Sequence, residues 1–592
     1  LIIEDITGAF LRDMMDWVDV RDYGAIGDGV TDCHAAFVAA NAAANGRTIL
    51  VPAGQYYLSQ NLAVLHHIRF EGTIIMPDDK RLTLRRDFHI NAYIAAFGDE
   101  QLAFRKALQA HFNYTDHDRL DLCGRRIEIY EPIDVQATVG NITSLEVRRV
   151  ISNGLLSAEE SESWAPTITT STASYNVANP YTLSNVVNIA NVPVGALITG
   201  AGVGREVYVR AVNLGAMSLT LSQPLHAAAL NQQYTFTRHK YMMDFTGFAK
   251  LSQFTFDGVE FQTNRRASAI ALAPDGETFY IKDCQFKQLI YRGVSSIGTG
   301  CQDLQIDRCN FISGESPTPA PDRGSVGFNV NANDAKIRNN RFQHLGHTAI
   351  LHGNGHLILG NHWFQGDQIT SGARKGGLIF TYPNLKSVIT GNYIDNSFIE
   401  WTNEHDATPD FANEFSFGGL TITGNIFTCN DVAPWFSWLV IKPYGPGHFI
   451  QGLSVQGNTF KSLNGAIDRI EREDDSIAGL DFGRARNVTF EGNTFNAINQ
   501  LTVNPVTLEF SQNTAAVHWS LDVSGYLPFG GRARIVQSVA VQGQAVDASN
   551  APVFALPYAT PNHGSQNNLV QLTWPQATKG TVQVTARMDR PI

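Results

Sequence analysis

The chain has 592 residues, a formal net charge of −11, and 17% charged against 43% hydrophobic residues, with 51 glycines and 34 phenylalanines. That length outgrows one ordinary core, so several domains or an elongated repeat is expected, in a globular chain rich in turns and strands. The acidic balance without a Lys/Arg run excludes nucleic acid as a partner; six cysteines with no CxxC pair exclude zinc ribbons and a disulfide-stapled scaffold; and no apolar run reaches the ~20 residues of a spanning helix, so no membrane insertion is expected.

Residues 1–17 read as the end of a preceding domain or a linker. The next stretch, "VDVRDYGAIGDGVTDCHAAFVAANAAANG" (18–46), holds three glycines in the order GxxGxG. A dinucleotide fingerprint needs GxGxxG, and the acidic residue inside this one would repel a pyrophosphate. Instead Thr31 or Asp32 caps a helix whose Phe37, Ala40 and Ala44 share one face, with Gly46 as its stop. Such a helix suits the cover that an open sheet end requires. "TILVPAGQYYL" (48–58) then reads strand, turn, strand, the first coil of a repeat. Helical periodicity over 92–120 predicts one amphipathic helix beside the first coils, and 18–164 is assigned to the cap and those coils.

Residues 165–240 alternate at hairpin spacing and predict an inserted β-module. Its "GAGVG" (200–204) runs into a strand and fails the nucleotide test.

From 241 to 502 a short pattern recurs: FDGVEF, IKDCQF, IDRCNF, IRNNRF, ITGNYI, ITGNIF, VQGNTF and FEGNTF, with "LILGNHWF" (357–364) fitting if one residue is inserted. Its fourth positions are Val259, Cys284, Cys309, Asn340, Asn361, Asn392, Asn425, Asn458 and Asn493, spaced by 25, 25, 31, 21, 31, 33, 33 and 35 residues. One such unit cannot bury its apolar side alone, so the units must stack. Stacked parallel coils bring equivalent positions to about 4.8 Å, which predicts a side-chain amide ladder through Asn340, Asn361, Asn392, Asn425, Asn458 and Asn493. Cys284 and Cys309 read as stacked buried thiols, a disulfide between them being sterically conceivable. After residue 503 the pattern stops and long strands predict a C-terminal β-sandwich (503–592). The fold class is all-β: a parallel β-helix with an N-terminal capping helix, an inserted small β-domain and a C-terminal β-sandwich.

Long segments follow the late motifs, at 366–386, 395–419, 428–452 and 461–487, and read as loops lining one wall. They supply candidate catalytic acids Glu400, Glu404, Asp406, Glu471 and Asp474, and candidate carbohydrate-binding residues Trp401, His405, Trp435, Trp438, Lys442 and Tyr444. Aromatic faces beside carboxylates suit pyranose rings and hydroxyls. Glu400 and Glu404 share a face if their segment is extended. An acid at 471–475 lies two coils away, about 10 Å along the axis, within the separation that inverting glycosidases use; the bland alternative is that these are solvated charges. His344, His347, His352, His356 and His362 fall on different turns without ligand spacing and read as loop and groove histidines. Neither a metal nor a cofactor is expected.

"VDVRDYGAIGDGVTD", the Ala-rich helix and "TILVPAGQYYL" together resemble the N-terminal cap of pectate-lyase-superfamily β-helices, the glycoside-hydrolase-28-like group that includes many phage tailspikes. The resemblance spans about residues 18–500 and implies a right-handed helix, a homotrimer, and a spike or fibre of a tailed phage or phage-like particle. Such a spike, assembled in the cytoplasm, sits on the particle surface, contacts other particle proteins through its N-terminal side and binds cell-surface polysaccharide. The N-x-D and paired-Asp motifs of that hydrolase group are absent. A depolymerase acting on the same glycan and a secreted adhesin are the alternatives.

Overall fold

A computed structural model describes residues 16–113, 116–413 and 415–591; apart from Asp16 and Trp17, the expectation for 1–17 lies outside them. The chain forms two compact units. One comprises the chain up to Ile168, 193–196 and 237–314; the other comprises 169–192, 197–236 and the chain from Glu315 onward.

In the first unit, Ile49–Val51, Gln55–Tyr57 and Leu62–Val64 make one coil, and each pairs in parallel with Ile68–Phe70, Thr73–Ile75 and Leu82–Leu84 of the next. The capping helix is His34–Ala44, with Ala36, Phe37, Ala40 and Ala44 buried. Asp32 accepts a hydrogen bond from the His34 amide at 3.1 Å, while Cys33 holds the cap position itself. Asp28 turns its carboxylate onto the amides of Val30 and Thr31 at 2.9 and 2.8 Å, so the glycine-rich turn is closed by its own acid. The single helix expected over 92–120 is two, Ile90–Phe97 and Glu100–Asn113. Gly98, left-handed at φ 74°, ends the first, and Asp99 caps the second through the Leu102 amide at 2.7 Å.

Later coils of this unit stack Phe261, Phe286 and Phe311, with centroids 5.1 and 4.2 Å apart. Cys284 and Cys309 are buried free thiols whose sulfurs accept from the Val259 and Cys284 amides, so no disulfide joins them.

The second unit stacks six coils. Each has a strand on each side of the motif turn, as in Ile450–Gln456 and Thr459–Ser462, and all but the last have a third strand beyond it. The amide ladder runs through the turns: Asn340 Nδ2 donates to Asn361 Oδ1, and so on through Asn392, Asn425, Asn458 and Asn493, at 2.9–3.0 Å. Each acceptor oxygen also takes the backbone N–H of the preceding ladder residue. The residue before each ladder position is left-handed, Gly360, Gly391, Gly424, Gly457 and Gly492 at φ 63–66° and Asn339 at 57°, which is why "GN" recurs. The copy read with an insertion has none: Trp363 pairs in register with Phe342 and Ile394, so "ILGNHW" is the repeat.

The third strands are Val326–Val330, His347–Leu351, Gly376–Phe380, Phe398–Thr402, Leu439–Lys442 and Glu471–Glu473. They correct the reading of the four long segments as free loops. Each segment is two corners separated by a strand, and period-two alternation fixes which of its side chains face inward.

The inserted module is a six-stranded sheet built largely of antiparallel hairpins, Thr167–Tyr175 to Asn231–Arg238. The region expected to be a β-sandwich is one antiparallel sheet of four strands, including Val506–Asp522 and Leu569–Arg587. On its strands of 17 and 19 residues, Trp519, Leu521, Val570, Leu572 and Trp574 are buried. Among the described residues no helix is long and apolar enough to cross a membrane.

Candidate functional site

The acids proposed from sequence separate once the third strands are in place. Ile399, Leu439 and Glu471 occupy one inward column, whereas Glu400 stacks on Val440 and Arg472. Glu471 is therefore buried in the core, where it accepts from Arg469 Nε at 2.9 Å, Thr502 Oγ1 at 2.6 Å and the Phe529 amide at 3.1 Å. It closes the last coil and is no partner for Glu400. Asp474 pairs with Lys442 at 3.2 Å. Trp401 and Trp438 are wholly buried and donate to the carbonyls of Tyr382 and Thr428, so neither is a sugar platform. Trp435 is exposed, but at the corner before the third strand, with the Arg472 guanidinium 5.1 Å from its ring centroid.

Glu400 and Glu404 do converge, on a residue the sequence reading missed. Arg205 of the module donates from Nε to Glu404 at 2.9 and 3.1 Å and from Nη2 to Glu400 at 2.6 Å and Glu404 at 3.0 Å. Tyr444 adds its hydroxyl to Glu404 at 3.2 Å. Burial alone would push the Glu404 carboxyl up; the Arg205 guanidinium more than offsets this and holds it at about 2. Next to Arg205, a Cβ on Gly204 would meet His405 Cδ2 at 2.8 Å, so this glycine of "GAGVG" allows close approach of the module to the coil. Neither glutamate is free to act as an acid or base.

Beside this clamp lies a cleft of about 400 Å³. Val177, Pro180, Tyr181 and Pro224 of the module form one side, and coil segments that follow the third strands form the other: His352, Thr381–Pro383, His405–Thr408, Asp410–Ala412, Phe415 and His448. Tyr181 is 48% and Phe415 62% exposed. Of the sequence-derived candidates, Asp406 and His405 line it. His405 Nε2 donates to the Arg205 carbonyl at 2.9 Å. Burial pushes the imidazolium of His405 down in pKa, that of His448 likewise, and that of His352, helped by His405, to about 3, so all three rings are neutral near pH 7.

The other histidines of the cluster have separate partners. His347 Nδ1 meets the Gly376 carbonyl at 2.8 Å, His356 Nδ1 accepts from the Ala335 amide, and His344 and His362 pack on Phe364 and Tyr393.

Residues 17–100 match the family model "Rhamnogalacturonase A/epimerase, pectate lyase-like". The match falls on the cap and first coils, where the resemblance read from "VDVRDYGAIGDGVTD" lies, and stops short of the cleft. No curated protein matches the chain. Among solved structures, a tailspike protein of E. coli bacteriophage HK620 in complex with pentasaccharide is similar at TM-score 0.34 and 11% identity, over 98% of this chain and 95% of that one. PfbA, a surface adhesin of Streptococcus pneumoniae, is similar at TM-score 0.31 and 12% identity, over 81% and 92%.

Missed by the sequence reading were Arg205, Tyr181, Tyr382, Asp410, Phe411 and Phe415. What the coil residues among them share is position: each follows a third strand.

Proposed function

We propose that the chain binds cell-surface polysaccharide in this cleft, as a spike or fibre subunit of a tailed phage or phage-like particle. The observation that carries the reading is the pairing of half-exposed rings, Tyr181 and Phe415, with the carboxylates Asp406 and Asp410 in one concave site. Ring faces pack against pyranose C–H faces and carboxylates accept hydroxyls. Immobilised bacterial polysaccharide tests it: the intact chain binds, and Tyr181→Ala with Phe415→Ala weakens binding by at least about tenfold, each ring contributing on the order of 1 kcal/mol. Binding unchanged by both substitutions overturns the reading.

The particle assignment rests on the cap resemblance. A homotrimer is supported by the apolar side chains that the C-terminal region leaves in solvent, Phe554, Leu556 and Tyr558, 97, 72 and 67% exposed, which further copies of the chain would cover; sedimentation as a monomer at micromolar concentration refutes it. Contact with other particle proteins through the N-terminal side and cytoplasmic assembly belong to the same proposal. A secreted adhesin would use the same cleft.

Depolymerisation is the second reading, favoured by the presence of two carboxylates, Asp406 and Asp410, in the cleft. It predicts reducing ends released from the bound polymer and lost in Asp406→Asn and Asp410→Asn. Binding without release leaves the first reading.

A further inference from the structure

The charge of the cleft narrows its ligand. Among the described residues that line it, Asp406 and Asp410 are charged and no Lys or Arg is present. The nearby cations are engaged elsewhere: Arg205 is held by Glu400 and Glu404, Lys442 by Asp474, and Arg484 lies over the rings of Phe411 and Phe449 at 4.5 and 4.2 Å while donating to the Gly447 carbonyl. The histidines on the cleft wall, His352, His405 and His448, are kept neutral by burial. An anionic sugar would thus bring its carboxylate or phosphate against two carboxylates in a lining that holds no Lys or Arg, whereas hydroxyl, acetamido and amino groups all donate hydrogen bonds that carboxylates accept.

Resting on the carbohydrate reading above, we infer that the cleft selects neutral or amino-bearing glycans, hexose and N-acetylhexosamine units, and discriminates against uronates and other acidic sugars. Asp410, on the exposed rim, is the residue that sets this preference.

The test uses the full chain and a panel of purified bacterial polysaccharides, neutral and uronate-containing. The strongest neutral binder is then measured before and after oxidation of its C6 hydroxyls to carboxylates. Oxidation is expected to weaken binding by at least about tenfold, the order of a like-charge contact at several ångströms in a partly exposed site, and 0.5 M salt narrows the gap. Asp410→Lys is expected to improve binding of the oxidised polymer relative to the unoxidised one by at least about tenfold. Equal or tighter binding of the oxidised polymer, or no gain in Asp410→Lys, overturns the inference alone. Failure to bind any polymer of the panel overturns the carbohydrate reading and the inference with it.

Discussion

Replacing Arg205 with Met removes the charge that holds the module to the coils and keeps much of the side chain's volume. The guanidinium is 27% exposed, Glu400 13% and Glu404 2%, so the two carboxylates would be left with little water in its place. The Glu404 carboxyl is held at about 2 against an ordinary 4.5, a difference equivalent to about 3 kcal/mol, and the cost of breaking a buried pair from one side is about 3–5 kcal/mol. Local opening of the module would then be favoured by on the order of a hundredfold at pH 7. Hydrogen exchange resolved to peptides covering 200–226 and 398–406 reads that opening directly.

The pH dependence carries its own sign. In the wild type the folded carboxyl lies below its unfolded value, so its stabilisation is full above about 4.5 and is lost as pH falls towards 2. In the variant, burial without the guanidinium raises the same carboxyl, so stability is lost above the ordinary carboxylate value and regained below it. The difference between the two proteins must shrink as pH falls through about 4.5. Equal exchange at pH 7, or a difference that stays constant from pH 7 to pH 3, would refute the clamp.

Two further substitutions probe the coils. Asn392→Ala strips the acceptor from the Asn361 amide and side chain and a donor from Ile358, Thr390 and Asn425; at about 1–3 kcal/mol per buried orphan, a loss of about 2–4 kcal/mol is expected in denaturant unfolding, and less for Asn493→Ala at the ladder's end. His356 is 1% exposed and burial lowers it to about 4 from 6.5. As pH falls through that interval the unfolded chain takes a proton that the folded one refuses, and stability is lost. His356→Leu, though weaker at pH 7 for want of an acceptor for the Ala335 amide, should unfold with a flatter pH profile between 6.5 and 4; parallel profiles would refute this.

The motif turns were legible because one local device, a left-handed residue before an amide, repeats in nearly every coil and leaves stacking as its only way to satisfy the buried amides. The third strands were not. "GGLIF", "FIEWT" and "LVIK" share no side-chain signature and follow connections of unequal length, so acids and tryptophans on them passed for loop residues. Parity then decided their fates: Trp401 lies between Glu400 and Thr402 on a strand whose Ile399 faces in, which sends it to the core, and Glu471 follows Leu439 inward. Arg205 lay beyond reach for a different reason, since it is 195 residues from Glu400 in sequence and nothing local to either residue announces the other.

The position of the cleft follows from the same stacking that hid it. Corners after successive third strands repeat at about the 4.8 Å strand spacing, so Thr381–Pro383, the segment from His405 and His448 present one polar-aromatic surface after another along the stack. A polymer of repeating units laid along that direction meets similar chemistry at each coil, and a single compact ligand does not. The module supplies the opposite side, and Arg205 fixes its distance from the coils by occupying Glu400 and Glu404. Glu400 and Glu404, two of the acids chosen from sequence as catalysts, are thereby what anchors the module beside the coils.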